Sequence, residues 1–195
     1  MYQKQRMLHD AILFATESHA GQKRRGTEID YICHPMEVLA LVTLASPRNV
    51  ELQIAAVLHD VVEDCGVSFE EIRHRFGERV AAYVAFVTDD QCRTRQQNKE
   101  ILIDALKTAP ADQCILKCAD AVSNLRSMAW DLRALGNALW KRFHGTKEDI
   151  RRYYRGMLLA MKELRNHAAT KALFDEGRVL YEEIFGEPLF PDQWY

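Results

Sequence analysis

Residues 54–66, IAAVLHDVVEDCG, set four groups capable of chemistry into an apolar run. Seven of them are Ile, Ala, Val or Leu, and His59, Asp60, Glu63 and Asp64 stand among them. A helix apolar over more than one face is a buried one, and burying unpaired carboxylates is expensive, so a cation, hydrogen bonds or water must compensate them. Glu63 lies four residues after His59, and Asp64 four after Asp60, which places each pair on one helical face a turn apart. One turn then offers an imidazole and a carboxylate, and the next offers two carboxylates that can act on a bound water. That is the order expected of metal ligands followed by acid–base groups. The competing reading is a helix end frayed into solvent, with all four groups hydrated. Two further positions strengthen the metal reading. His34-Pro35 closes a cationic loop and opens an apolar helix, where an imidazole can be held rigidly. Asp120 interrupts QCILKCADAVSNL, a second apolar helix, with Asn124 and Ser127 four and seven residues on along the same face. Each has a plain structural alternative: a helix-start hydrogen bond for His34, a buried salt bridge for Asp120. His9-Asp10 is the internal control, the same dipeptide in a polar helix with no acidic pair one turn on, and it is expected at the surface.

The elements that must position these groups are helices. Hydrophobic period places them at about 3–19, 35–45, 50–63, 68–75, 77–88, 97–108, 111–130, 147–167 and 169–185. Ser68 with Glu71 three residues later predicts a capping box. Residues 20–33, AGQKRRGTEIDYIC, read as a polar loop carrying Lys23, Arg24 and Arg25 in succession. Residues 91–98 read as a second polar loop, and the tail PLFPDQWY ends without periodicity. There is no strand alternation, internal repeat or low-complexity tract. The expectation is an all-α fold, one domain over 1–195 with its core at about 5–185 and about eight to eleven helices.

Composition excludes several classes. With 26 Lys and Arg against 28 Asp and Glu, the formal charge is −2, not the basic footprint of a dedicated nucleic-acid binder. Lys23–Arg25 and Arg151-Arg152 are the local basic patches left for that idea. No apolar run approaches the roughly 18 residues of a membrane span, and the start MYQKQRMLHD is amphipathic, not signal-like, so a cytoplasmic location is expected. Five cysteines form no CxxC pair. Cys114 and Cys118 share a helical face without the partners of a metal site and read as buried free thiols. Trp130, Trp140 and Trp194 read as core or interface anchors.

Taken together, His34, His59-Asp60 and Asp120 form an H…HD…D pattern that resembles the metal signature of the HD-domain phosphohydrolase superfamily. Five blocks narrow the likeness: HAGQKRRG (19–26), YICHP (31–35), AAVLHDVVEDCG (55–66), FGERVAAYVAFVTDD (76–90) and KCADAVSNLRS (117–127). They resemble, in order, the hydrolase domain of RelA/SpoT homologues, and with no other domain attached the chain looks most like a stand-alone small alarmone hydrolase of the stringent response. The likeness runs from about residue 5 to residue 185. It implies a compact helical HD fold and one Mn2+ per chain, bound through His34, His59, Asp60 and Asp120. It implies that Glu63 and Asp64 are the catalytic pair that assists attack of water on a 3′-pyrophosphate. Arg24 matches the residue that packs on the purine, a role suited to a guanidinium plane. Lys23 and Arg25 stand where phosphates can be met, Asn124 matches a nucleotide contact with Arg126 and Ser127 nearby, and Tyr153 or its neighbour Tyr154 matches a tyrosine near the ribose. The implied reaction converts (p)ppGpp to GDP or GTP and pyrophosphate. The implied partner is a small nucleotide, with neither nucleic acid nor membrane, and the oligomeric state stays open.

The departures from the pattern cluster outside the metal residues. Asp30 stands where the family has Pro before the Tyr, Gln91 follows Asp90 where a cation is usual, and residues 131–147 make a longer connection. They leave hydrolysis intact and bear on nucleotide identity, so (p)ppApp and the phosphate of NADPH remain alternative substrates. A nucleotide sensor with a dead site is the rival of another class, disfavoured because all six metal and acidic positions are filled.

Overall fold

Asn49 starts the helix around which the others assemble: its side-chain oxygen accepts the Leu52 N–H at 3.1 Å, closing the first turn. The computed structural model describes residues 2–190. They form α1 (Tyr2–Ser18), α2 (Cys33–Ala45), α3 (Val50–Leu58), α4 (Val61–Cys65), α5 (Phe69–Phe76), α6 (Glu78–Val87), α7 (Arg95–Leu106), α8 (Ala111–Leu135), α9 (Lys147–Ala160) and α10 (Ala168–Phe185), with 3-10 segments at Gly136–Arg142 and Lys162–Asn166. Among the described residues there is no strand, and β pairing is limited to an isolated bridge between Lys23 and Asp30. The all-α expectation holds.

Every residue from Leu52 to Leu58 is buried, so α3 is enclosed on all sides, by α1, α2, α6 and α8. The one polar residue of that buried run, Gln53, donates to the Ser46 and Pro47 carbonyls at 3.3 and 3.2 Å. The long α8 is the second spine, packed on α2 and α10. Gly177 lets α10 approach closely, since a Cβ there would stand 3.3 Å from Val122 and 3.2 Å from Leu158. One apolar cluster runs from Ala11 to Phe190. No described helix is long and apolar enough to cross a membrane.

Several boundaries differ from the periodic reading, each for a local reason. The helix expected over 50–63 is two, α3 and α4, with a turn at His59-Asp60. There the His59 ring bonds the Ala56 carbonyl at 2.8 Å and competes with the helical ladder. Gly66, at φ +71°, then ends α4 in the left-handed conformation that favours glycine. The helix expected over 147–167 stops at Ala160 and continues as a 3-10 turn. The long connection is a 3-10 segment, pinned by buried Leu139 and by Trp140 stacked on Phe185 at 5.9 Å between centroids. Residues 91–98 are loop only as far as Thr94, which forms a reciprocal capping box with Gln97. The box expected at Ser68 is half made: Ser68 Oγ accepts the Glu71 N–H at 3.1 Å, and the Glu71 carboxylate pairs with Arg75 at 2.9 Å. Trp130, expected as an anchor, is 71% exposed, and Trp194 lies outside the described residues. Cys114 and Cys118 are buried free thiols, pushed up by that burial.

Candidate active site

The turn at His59 and the first turn of α2 bring two imidazoles together edge to face, with Nε2 atoms 3.2 Å apart. Their partners fix the tautomers. Ser123 Oγ donates to Glu37 Oε2 at 2.6 Å, so it accepts from His34 Nδ1 at 2.8 Å. The Ala56 carbonyl can only accept, so His59 Nδ1 also carries a proton. Both rings therefore turn Nε2 toward one point, the second-shell arrangement of metal-binding histidines. Asp60 Oδ2 stands 3.4 and 3.0 Å from the two Nε2 atoms, and Asp120 Oδ1 3.3 and 3.9 Å. Donors at right angles around one ion at about 2.1 Å stand about 3 Å apart, so these spacings fit a shared cation. His34, His59 and Asp120 each place a donor atom within 4.8 Å of the others. Two imidazoles with carboxylates suit a divalent first-row metal.

The electrostatics point the same way. Burial disfavours a charged His59, yet the Asp60 carboxylate prevails and raises the ring to about 9. Burial likewise opposes ionised Asp60 and Asp120, but His59 holds the first well below the carboxylate range and Lys117 holds the second there. Lys117 is itself enclosed, with Nζ 2.6 Å from Asp120 Oδ2, and stays charged because that carboxylate outweighs its burial. Tyr31 donates to Asp60 Oδ2 at 2.7 Å, and its phenol is pushed far up by burial and then by Asp60.

One turn on, α4 presents Glu63 and Asp64 at the rim, both exposed. The expectation of buried carboxylates holds for Asp120, holds in part for half-buried Asp60, and fails for this pair. The fray-end alternative fails too, because both carboxylates are held. Glu63 Oε2 accepts the Asp89 N–H at 3.1 Å, and Asp64 Oδ2 accepts Gln22 Nε2 at 2.8 Å. Although Glu63 meets solvent on one side, protein on the other raises its carboxyl, with the Asp89 amide pulling the opposite way.

From the cluster a cleft of about 900 Å³ runs between residues 22–33, α8 and the 3-10 segment after it. Arg24 Nη2 donates to Ser127 Oγ at 2.9 Å and Asn124 Oδ1 at 3.3 Å, with the guanidinium 5.8 Å from the Tyr31 ring centroid. Asn124 Nδ2 in turn donates to Asp120 Oδ1 at 2.6 Å. The other cations are engaged. Lys23 pairs with Asp30 at 2.6 Å, Arg25 donates to the Arg142 carbonyl at 3.4 Å, and Arg126 is clamped by Glu37 and Glu176 at 2.7 and 2.6 Å. Tyr154 lines the cleft; Tyr153 does not, and Lys99 Nζ stands 4.8 Å from its ring centroid. His9 and Asp10 are exposed, as the control requires. Arg151 pairs with Glu148 and Glu187, and Arg152 faces Asp149 at 3.6 Å, so that basic patch carries its own acids. A second cavity of about 520 Å³, beside Phe69, Phe86 and Ile101, contains none of the metal cluster.

Sequence reasoning missed Lys117, Tyr31, Gln22 and the cleft wall formed by Trp130, Arg142 and Phe143. Lys117 alone left a signal: a lone cation three residues before Asp120 on an apolar helix.

The family model for the HD domain matches residues 11–150, and the chain belongs to that family as an HD-domain phosphohydrolase. Among its relatives is the guanosine-3′,5′-bis(diphosphate) 3′-pyrophosphohydrolase MESH1 of Drosophila melanogaster, 31% identical over 121 residues, covering 61% of this chain and 68% of that one. Two solved structures share the fold with TM-scores of 0.72. One, described as a metazoan ortholog of SpoT that hydrolyses ppGpp, is 25% identical and covers 88% of this chain and 93% of its own. The other, lmo0812 from Listeria monocytogenes EGD-e, is 29% identical, with 79% and 99% covered.

Proposed function

We propose that this chain is a Mn2+-dependent pyrophosphohydrolase that removes the 3′-pyrophosphate of (p)ppGpp, releasing GDP or GTP and pyrophosphate. The observation that carries the reading is Asn124. Its nitrogen holds Asp120 of the metal cluster and its oxygen holds Arg24, so the cation end and the purine platform are fixed relative to each other. The activity named for the MESH1 relatives supports the substrate. His34, His59, Asp60 and Asp120 would hold the cation. A divalent ion bound there supplies Lewis-acid polarisation of a phosphoryl oxygen and lowers the pKa of water. Asp64, held on one oxygen by Gln22, orients the attacking water and takes its proton. Glu63, whose carboxyl is raised, gives a proton to the ribose 3′-oxygen as its bond to phosphorus breaks. Arg24 stacks on the purine in a plane set by Ser127 and Asn124. Tyr154 walls the ribose with Tyr153 behind it, while Arg126 braces α8 through Glu37. Lys23 and Arg25 exchange Asp30 and the Arg142 carbonyl for the outer phosphates. Residues 5–185 serve this site as one hydrolase domain, and a cytoplasmic location goes with the reading.

A second reading keeps the residues and changes the substrate to (p)ppApp or NADPH. Its support is in the cleft itself: the Arg24 guanidinium can stack on any purine, and Trp130, Arg142 and Phe143 continue the lining beside it. The test is to strip the protein with chelator, reload it with Mn2+, and offer ppGpp, ppApp and NADPH in parallel with product separation. Pyrophosphate from ppGpp, lost in Asp64→Ala, is expected. Phosphate from NADPH alone would overturn the alarmone reading, and tight binding without turnover would favour a sensor.

A further inference from the structure

Asp64 sits exposed on a helix of five residues, yet the proposed reaction needs its carboxylate held still. We infer that Gln22 and His19 form a positioning relay that fixes Asp64, an inference that rests on the hydrolase reading above. The polarity of the relay follows from its last member. A carboxylate accepts only, so the Gln22 amide turns its nitrogen to Asp64 Oδ2 at 2.8 Å and its oxygen away. That oxygen lies 2.7 Å from His19 Nδ1, so His19 must carry its proton there. His19 is only 3% exposed, and its ring lies against Tyr31 at 4.9 Å between centroids. Cys65 Sγ stands 3.2 Å from the same Nδ1, and burial raises this thiol to about 11, so it stays neutral beside the ring.

The backbone of Gln22 is pinned as well. Its N–H donates to the His19 carbonyl at 3.0 Å, and its carbonyl accepts the Tyr31 N–H at 2.9 Å. Since Tyr31 also donates to Asp60, one short loop sets both a cluster carboxylate and the proton acceptor a turn away. Among the described residues Asp64 Oδ1 has no protein partner, which leaves that oxygen for water. The amide spends both of its ends on the relay, so Gln22 acts through Asp64 and is not a catalytic residue.

The test uses the full-length, Mn2+-loaded protein. Gln22→Ala is expected to lower kcat about 10- to 100-fold, the scale set by a displaced acid–base group, with KM within about twofold. In an Asp64→Asn background the same change should lower kcat no further. His19→Asn, which keeps an N–H near the position of Nδ1, should recover much of the kcat that His19→Leu loses. Wild-type kcat in Gln22→Ala, a loss confined to KM, or an equal further loss in the Asp64→Asn background would each overturn the relay. Nitrogen NMR of the imidazoles reads it without turnover: the Nδ1–H tautomer of His19 is expected in the wild type and should be lost in Gln22→Ala. An Nε2–H tautomer in the wild type overturns the relay. Failure of the wild type to hydrolyse any alarmone overturns the function reading instead, and leaves the tautomer to decide the relay.

Discussion

Removing the cation should expose a pH dependence of stability that the loaded protein lacks. His59 is 2% exposed, with Nε2 3.0 Å from Asp60 Oδ2. Its folded value of about 9 lies above the ordinary 6.5, because Asp60 outweighs the burial that opposes charge. A raised folded value means that protonation stabilises the fold fully below about pH 6.5 and that this contribution is lost as pH rises through about 9. At about 1.36 kcal/mol per pH unit, the interval amounts to about 3 kcal/mol. Asp60 and Asp120 do not enter this window: both are depressed, so their contribution is present above the ordinary carboxylate value and is lost only in acid. With a cation on Nε2 there is no proton to lose. Urea unfolding between pH 6.5 and 9, in chelator and in excess Mn2+, should therefore give a falling midpoint in the first series alone. The same proton must leave before the metal binds, so apparent affinity should drop toward tenfold per pH unit below about 9. A chelated series that stays level or rises, or two series that fall in parallel, would refute the assignment of His59 as the protonated partner of Asp60.

Three further outcomes follow from the geometry. Lys117→Met leaves Asp120 Oδ2 without its partner at 2.6 Å and should cost about 3–5 kcal/mol in chelated protein, partly restored by Mn2+; an unchanged urea midpoint would contradict the buried pair. Asp64→Asn and Glu63→Gln should lower kcat about 10²- to 10⁴-fold at unchanged metal content by elemental analysis, whereas His34→Gln should lower both. Arg24→Ala should raise KM about tenfold with little change in kcat, since a stacking cation contributes about 1–2 kcal/mol, and Arg24→Lys should not restore it, because an ammonium has no plane.

The parts legible in sequence were those decided by local pattern. Apolar period located the helices because burial on one face leaves a repeat, and His34, His59, Asp60 and Asp120 stood out as polar interruptions of it. What stayed hidden depends on partners distant in sequence. The turn at His59 is made by a side chain taking the Ala56 carbonyl, which no hydrophobic pattern records. The clamp on Arg126 joins Glu37 from α2 and Glu176 from α10, so a cation that the resemblance places beside a nucleotide contact is already satisfied within the protein. Arg24 and Ser127 are 103 positions apart, and only the fold makes them neighbours. Glu63 and Asp64 share an apolar stretch with His59 but escape burial, because Gly66 ends α4 one residue after Cys65.

The two ends of the cleft are held by interactions of different strength, and this bears on which of them can change. At the inner end, Asp120 has Lys117 on one oxygen and Asn124 on the other, His34 has Ser123 and Glu37 behind it, and most of these groups are enclosed. Altering one leaves a buried charge or donor unpaired, which costs several kcal/mol. At the outer end, Lys23 and Asp30 are paired with side chains 45% and 64% exposed, a contact worth about 1 kcal/mol or less. Arg25 makes one long bond to the Arg142 carbonyl, and Trp130 is largely open. The departures at Asp30 and residues 131–147 fall at this outer end. Substitutions there can retune which nucleotide is held at small cost to folding, while the cluster and its acidic pair keep one chemistry.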